Sequence, residues 1–124
     1  KKVSEDIKLV GVSILTSMDD RLVKQIGFSK KVNEIVKDQA KIASKAKLDA
    51  IVCSPLEVRL VKKYFKNEII TPGIRFNSKH NDQRRTLNPR QAFKNGSDWL
   101  VIGRPITKGN IKNNLKNLTA HLIK

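Results

Sequence analysis

The chain has 124 residues, 39% of them hydrophobic, which is enough for one folded domain, and charged residues interrupt every apolar run well before the roughly 18 residues of a membrane span. Its single cysteine, Cys53, excludes an intrachain disulfide framework, and one Cys with two distant His excludes a Cys/His zinc cluster. The net charge of +15 comes from 26 Lys and Arg dispersed in runs of at most two, among 5% aromatic residues, and this pattern argues against a specific nucleic-acid interface.

The first part of the chain predicts two strands separated by helices. Residues 7–15 are rich in Val and Ile and predict a strand that is buried on both faces. Ser17 begins a capping box that predicts a short helix over 18–26, and a second helix follows over 30–46. Residues 48–53 predict the second strand. The apolar stripe of the second helix comprises Val32, Ile35, Val36, Ile42, Ala43 and Ala46.

The middle of the chain begins with a helix-start signal. Ser54, followed by Pro55 and by Glu57 three residues on, predicts the start of a helix. Residues 68–71 then predict a short third strand, which Pro72 ends.

A long polar loop, roughly residues 75–87, leads into the last part of the chain, and its length is typical of a functional segment. Asn88 predicts the cap of a short helix, and residues 98–102 a fourth strand in which we expect Trp99 to lie in the core. Residues 103–107 predict a turn. The last helix, capped by Asn110, is expected to carry four side chains inward: Ile111, Leu115, Leu118 and Leu122.

Four strand–helix units in succession indicate an α/β fold with a parallel sheet and right-handed crossovers. Four such units could form a small open sheet. They could equally form (β/α)4, one half of a TIM-type (β/α)8 barrel, which typically needs about 250 residues.

Five motifs make the sequence more specific. They are SILTSM at 13–18, VCS at 52–54, TPGIR at 71–75, DQRR at 82–85 and LVIGRPIT at 100–107. In this order they resemble the C-terminal half of the orotidine 5′-phosphate decarboxylase family, from about residue 9 to residue 122. The resemblance implies a homodimeric (β/α)8 barrel that uses neither a metal nor an organic cofactor, and it fits our expectation of a cytoplasmic protein. Hexulose-phosphate synthase shares the barrel, but TPGIR with DQRR and IGRPIT favours the decarboxylase.

The resemblance also implies roles for individual residues. Thr16 corresponds to the contact with the pyrimidine nucleotide, whereas Arg75, Gln83, Gly103 and Arg104 correspond to the grip on its 5′-phosphate. Elementary chemistry agrees, because a phosphate dianion favours bidentate guanidinium groups and backbone N–H groups, which glycine lets it approach closely. Loops after the last strands are the usual phosphate position in such barrels.

We therefore expect residues 1–124 to form a single half-barrel domain, with phosphate-binding loops at 73–87 and 103–109. The loop 76–87 would be a lid that closes over the phosphate through Gln83. The ligand would be orotidine 5′-monophosphate, UMP or phosphate.

The chain does not match the family's catalytic Asp-x-Lys-x-x-Asp motif. Asp6 and Lys8 begin like it, but Gly11 stands at the position of the second Asp, so no residue of this chain is assigned a catalytic role. Three readings remain open: the decarboxylase half, a non-catalytic nucleotide- or phosphate-binding half-barrel or remnant of a split gene, and a basic nucleic-acid-associated module. Dispersed charge argues against the third. The partner would be a second copy or an N-terminal half.

Overall fold

A computed structural model, which describes residues 4, 6–76 and 87–123, shows four parallel strands alternating with helices. The strands are β1 (Val10–Val12), β2 (Ala50–Val52), β3 (Glu68–Thr71) and β4 (Trp99–Leu100). The helices are α1 (Asp20–Gln25), α2 (Val32–Lys45), α3 (Val58–Tyr64), α4 (Pro89–Lys94), α5 (Arg104–Thr107) and α6 (Ile111–Ile123). The strands lie side by side in chain order, and each pair is parallel, which confirms the predicted alternation.

One face of the sheet carries the hydrophobic core. Gly11, Ile51 and Ile69 are aligned across β1, β2 and β3, and both isoleucines are buried in the cluster that α2 and α3 form with the sheet. Gly11 fits this row because a Cβ there would lie 2.6 Å from Leu48 Cδ1, closer than packed atoms allow. The remaining large core side chains come mainly from the helices: Val23, Val36, Val58, Val61 and Phe65.

Among the residues that the structure describes, none covers the opposite face of the sheet. Alternation along the strands places Val12, Val52, Ile70 and Trp99 together on that face. Val12 is 65% exposed and Trp99 58% exposed. The predictions that β1 is buried on both faces and that Trp99 lies in the core were therefore wrong, because α1, α2 and α3 form the core on the other face.

Helix starts follow local capping chemistry, with two corrections. Asp19, not Ser17, caps α1, since its Oδ1 accepts a hydrogen bond from the Leu22 amide at 2.9 Å. Ser54 does not begin α3. The amide of Glu57 donates to the Ser54 carbonyl at 3.0 Å, which makes residues 54–57 a turn, and the helix begins at Val58.

Asn88 and Asn110 cap α4 and α6, as predicted, through their side-chain oxygens. However, none of the four apolar side chains predicted to face inward from α6 is buried, and Ile42 of α2 is 67% exposed. Residues 104–107 form the short helix α5 rather than a simple turn.

Candidate functional site

The carboxyl ends of β3 and β4 bring two of the predicted segments side by side. Thr71 is aligned with Leu100, and the amide of Val101 donates to the Thr71 carbonyl at 2.9 Å. Because both strands run in the same direction, the segments that carry Gly73 and Gly103 leave the sheet at the same edge. The edge of a parallel α/β sheet at its strand ends is where such folds bind ligands.

The segment after β3 is held at its base. Gly73 adopts φ +78°, a left-handed conformation that favours glycine, and so turns the chain directly after the strand. Ile74 is buried and forms a parallel bridge with Leu87, while the amide of Arg75 donates to the Leu87 carbonyl at 3.1 Å. The two ends of the long connection are thereby joined, and Arg75 stands half-buried at that junction.

The segment after β4 presents Gly103 and Arg104 to solvent. Gly103 precedes α5, and its carbonyl accepts hydrogen bonds from the amides of Ile106 and Thr107 at 2.9 and 3.1 Å. A Cβ on Gly103 would meet nothing within 4 Å, so the space above this backbone is open to a ligand. Arg104 is the first residue of α5 and is exposed.

An asparagine of the last helix fixes α5. The side-chain amide of Asn114 donates to the carbonyls of Ile106 and Lys108, at 2.9 and 2.8 Å. These two bonds tie the carboxyl end of α5 to α6, a helix that contributes no side chain to the predicted phosphate grip.

Thr16 lies at the same edge of the sheet, but further away in strand order. It occupies a turn closed by the Met18 amide and the Leu15 carbonyl at 2.9 Å, directly after β1. β2 lies between β1 and β3, so Thr16 stands two strands from the segment of Arg75. Gln83 and most of the predicted lid lie outside the described residues.

Sequence reasoning missed Gln39, which positions the Thr16 segment. Its Oε1 accepts a hydrogen bond from the Ile14 amide at 3.0 Å, so α2 holds the loop that follows β1. The sequence does carry a signal for this contact: Gln39 is a polar residue that interrupts the apolar stripe between Val36 and Ala43.

Sequence reasoning also missed a buried hydroxyl pair under the segments that carry Gly73 and Gly103. Ser97 Oγ lies 2.6 Å from Thr71 Oγ1 and 2.9 Å from the Trp99 carbonyl oxygen, and both side chains are buried. This contact joins the last residue of β3 to the segment that leads into β4. The partners are 26 residues apart, and no local pattern announces the pair.

Cys53 is not part of this site. It is buried in the core, and burial raises the pKa of its thiol to about 12, which disfavours the reactive thiolate. Within the described ranges, no three His, Cys, Asp or Glu side chains are grouped so that they could hold a metal ion. No helix in the described part of the chain is long and apolar enough to cross a membrane.

Comparison with curated proteins finds similarity to orotidine 5′-phosphate decarboxylases. The chain is 50% identical over 105 residues to orotidine 5′-phosphate decarboxylase of Wigglesworthia glossinidia brevipalpis, a match that covers 82% of this chain and 45% of the relative. The protein of the same name from Wolbachia pipientis subsp. Culex pipiens is 46% identical over 106 residues, covering 82% and 46%. The chain therefore spans about half the length of the curated relatives it matches.

Solved structures match in the same way. A crystal structure of orotidine 5′-phosphate decarboxylase from Lactobacillus acidophilus is 29% identical, with a TM-score of 0.74, and the match covers 94% of this chain and 50% of that one. The Pyrococcus horikoshii OT3 enzyme, at 16% identity and a TM-score of 0.66, supports the fold alone. The four strand–helix units are thus half of a TIM-type barrel, as predicted.

A family model, described as the orotidine 5′-phosphate decarboxylase / HUMPS family, matches residues 1–116. The motifs, the parallel half-barrel and these relatives agree with that match. The chain belongs to that family.

Proposed function

We propose that this chain forms the phosphate-binding half of an orotidine 5′-phosphate decarboxylase site. The proposal rests on one observation. The segments Gly73–Arg75 and Gly103–Arg104 follow the carboxyl ends of two adjacent parallel strands, β3 and β4. The curated relatives are named for this decarboxylase, and each contains a region of similar length that this chain does not cover.

The geometry suits a phosphate monoester. Arg75 and Arg104 can each offer a planar pair of N–H donors to phosphate oxygens, and the open space above Gly103 lets an oxygen approach the backbone. Thr16 lies two strands away at the same edge, and it would contact the pyrimidine end of a nucleotide whose phosphate lies near β3 and β4. Gln83 would close the site from the long connection.

Phosphate binding alone does not decarboxylate. The carbanion that develops on the pyrimidine ring needs a positioned ammonium group, and the substrate carboxylate must be destabilised by nearby charge. Lys8 does not fill this role, because it precedes β1 at the opposite edge of the sheet, where its Nζ lies 3.4 Å from Glu68 Oε1. Loss of carbon dioxide from orotidine 5′-monophosphate to give UMP would thus require groups supplied by the other half of the barrel.

A decarboxylation assay tests this proposal. The purified 124-residue chain should show no turnover of orotidine 5′-monophosphate, and activity should appear when an N-terminal half that carries Asp-x-Lys-x-x-Asp, for example from the Wigglesworthia relative, is added. Arg104→Ala in the complemented sample should lower kcat/KM. Turnover by the isolated chain that is lost in Lys8→Ala would contradict the proposed division of labour.

The alternative is a half-barrel that binds phosphate or nucleotide without catalysis. The mismatch at Gly11, where the family motif has its second Asp, favours it. The same assay separates the two, since a binding module would hold UMP but give no activity with any complementing half.

A further inference from the structure

The turn between α4 and β4 contains the one Asn-Gly pair of the sequence, Asn95–Gly96. In such a pair the backbone nitrogen of the glycine attacks the side-chain carbonyl carbon of the asparagine. A C–N bond forms, the bond to the side-chain nitrogen breaks, and the proton of the glycine amide leaves with that nitrogen as ammonia. Water then opens the five-membered imide at either carbonyl, which gives aspartate or isoaspartate. Glycine favours this reaction because it has no side chain to restrict the backbone.

The fold uses the same pair to end α4. The amide of Gly96 donates to the Phe93 carbonyl at 2.9 Å, and the amide of Ser97 donates to the Ala92 carbonyl at 3.1 Å. Gly96 adopts φ +106°, the left-handed conformation that helices commonly place just after their last residue. The glycine that makes the asparagine amide labile is therefore also the residue that the end of the helix requires.

The folded geometry keeps the two reacting atoms of this pair apart. Ring closure requires rotation about ψ of Asn95 until the Gly96 nitrogen eclipses the asparagine Cβ. Asn95 instead has a helical ψ of −12°, which turns that nitrogen away from the side chain. The rotation would also carry the Gly96 and Ser97 amides away from their acceptors. The reaction therefore needs the turn to open locally.

Side-chain packing from two neighbouring elements holds this turn closed. The Lys62 side chain of α3 covers Gly96, since a Cβ built there would lie 3.2 Å from Lys62 Cε and 3.3 Å from Lys62 Cγ. Lys62 Nζ lies 3.1 Å from Asp98 Oδ2, and the same carboxylate oxygen accepts a hydrogen bond from the Ile69 amide of β3 at 2.8 Å. Both α3 and β3 thus oppose the opening that the reaction needs.

We propose, independently of the decarboxylase site, that Asn95 is a spontaneous deamidation site whose rate is set by opening of the α4–β4 turn and whose product weakens that turn. Isoaspartate adds one carbon to the main chain just before Gly96, and so displaces the amides of Gly96 and Ser97 from their acceptors. The Ser97 hydroxyl, 2.6 Å from Thr71 Oγ1, is displaced with them. The new carboxylate also adds negative charge at the carboxyl end of α4, where the helix dipole disfavours it.

Peptide mapping measures the rate of this modification. After incubation of the chain at mildly alkaline pH, the tryptic peptide that begins at Asn95 should yield two new species, aspartate and isoaspartate. A synthetic peptide of residues 91–99 in the same buffer gives the rate of the open turn. The folded chain should react about tenfold or more slowly than that peptide, in proportion to the hydrogen-exchange protection of the Gly96 amide.

Two variants and a stability measurement complete the test. Asn95→Gln should abolish the reaction, because its side chain is one carbon too long for the five-membered ring, whereas the control Asn117→Gln, at an exposed amide of α6, should leave the rate unchanged. The purified isoaspartate form should unfold at a lower urea concentration than the unmodified chain. No conversion at Asn95, equal rates in the chain and the peptide, equally fast conversion at Asn117, or an unchanged urea midpoint would overturn the proposal.

Discussion

At the scale of single residues, Ser97 and Thr71 show how a buried contact supports exposed loops. Their hydroxyl oxygens lie 2.6 Å apart beneath the point where the segments that carry Gly73 and Gly103 leave the sheet. Ser97 has one hydroxyl proton and several oxygen neighbours, so the Thr71 hydroxyl can complete the network by donating in return.

Removing either hydroxyl should destabilise the fold. We expect Ser97→Ala to lower the free energy of unfolding by about 1–3 kcal/mol, because buried polar groups lose a partner. Thr71→Val should act similarly, and the double variant should cost less than the sum of the two. Urea unfolding of all four proteins at one chain concentration measures this coupling, and strictly additive losses would show that the two hydroxyls do not interact.

Cys53 gives a prediction about pH. Burial raises the pKa of its thiol from 9.0 to about 12, so the folded state favours the neutral thiol more strongly than the unfolded state does. The corresponding stabilisation is complete below pH 9.0 and is lost as the pH rises toward 12. At pH 8 a thiol reagent should modify Cys53 slowly in the folded chain and rapidly in urea, and equal rates would contradict its burial.

At the scale of elements, α2 controls the loop that carries Thr16 through the side chain of Gln39. Gln39→Leu should leave the Ile14 amide without its acceptor and speed hydrogen exchange at that amide, measured by NMR. Gln39→Glu keeps an oxygen at the same place and is the matched control. Unchanged exchange in Gln39→Leu would show that the loop is held by other contacts.

At the scale of elements, local sequence signals predict some helix starts correctly and others not. The asparagine caps of α4 and α6 were predictable because capping depends on residues within one turn. The start of α3 was not, because a Ser-Pro pair serves a turn as well as a helix, and the chain continues as a turn to Glu57. The exposed stripe of α6 was not predictable either, because an apolar periodicity shows which face seeks burial but not whether a neighbour covers it.

At the scale of the whole molecule, the sequence predicted the alternation of strands and helices and one shared edge for Arg75, Gly103 and Arg104. The shared edge follows because parallel strands place their carboxyl ends together. Trp99 shows the limit of that reasoning. Its strand is as expected, but an alternating pattern does not show whether the face that carries it is covered, and Trp99 is 58% exposed.

The most direct test of the central claim is calorimetric titration of UMP into the wild-type chain, Arg104→Ala and the control Arg59→Ala, which removes an exposed arginine of α3. Loss of a charge-assisted contact costs about 1.5–3 kcal/mol, so Arg104→Ala should bind UMP roughly 10- to 100-fold more weakly, while Arg59→Ala should match the wild type. Equal affinity for UMP in the wild type and in Arg104→Ala would contradict the assignment of this edge of the sheet as a phosphate site.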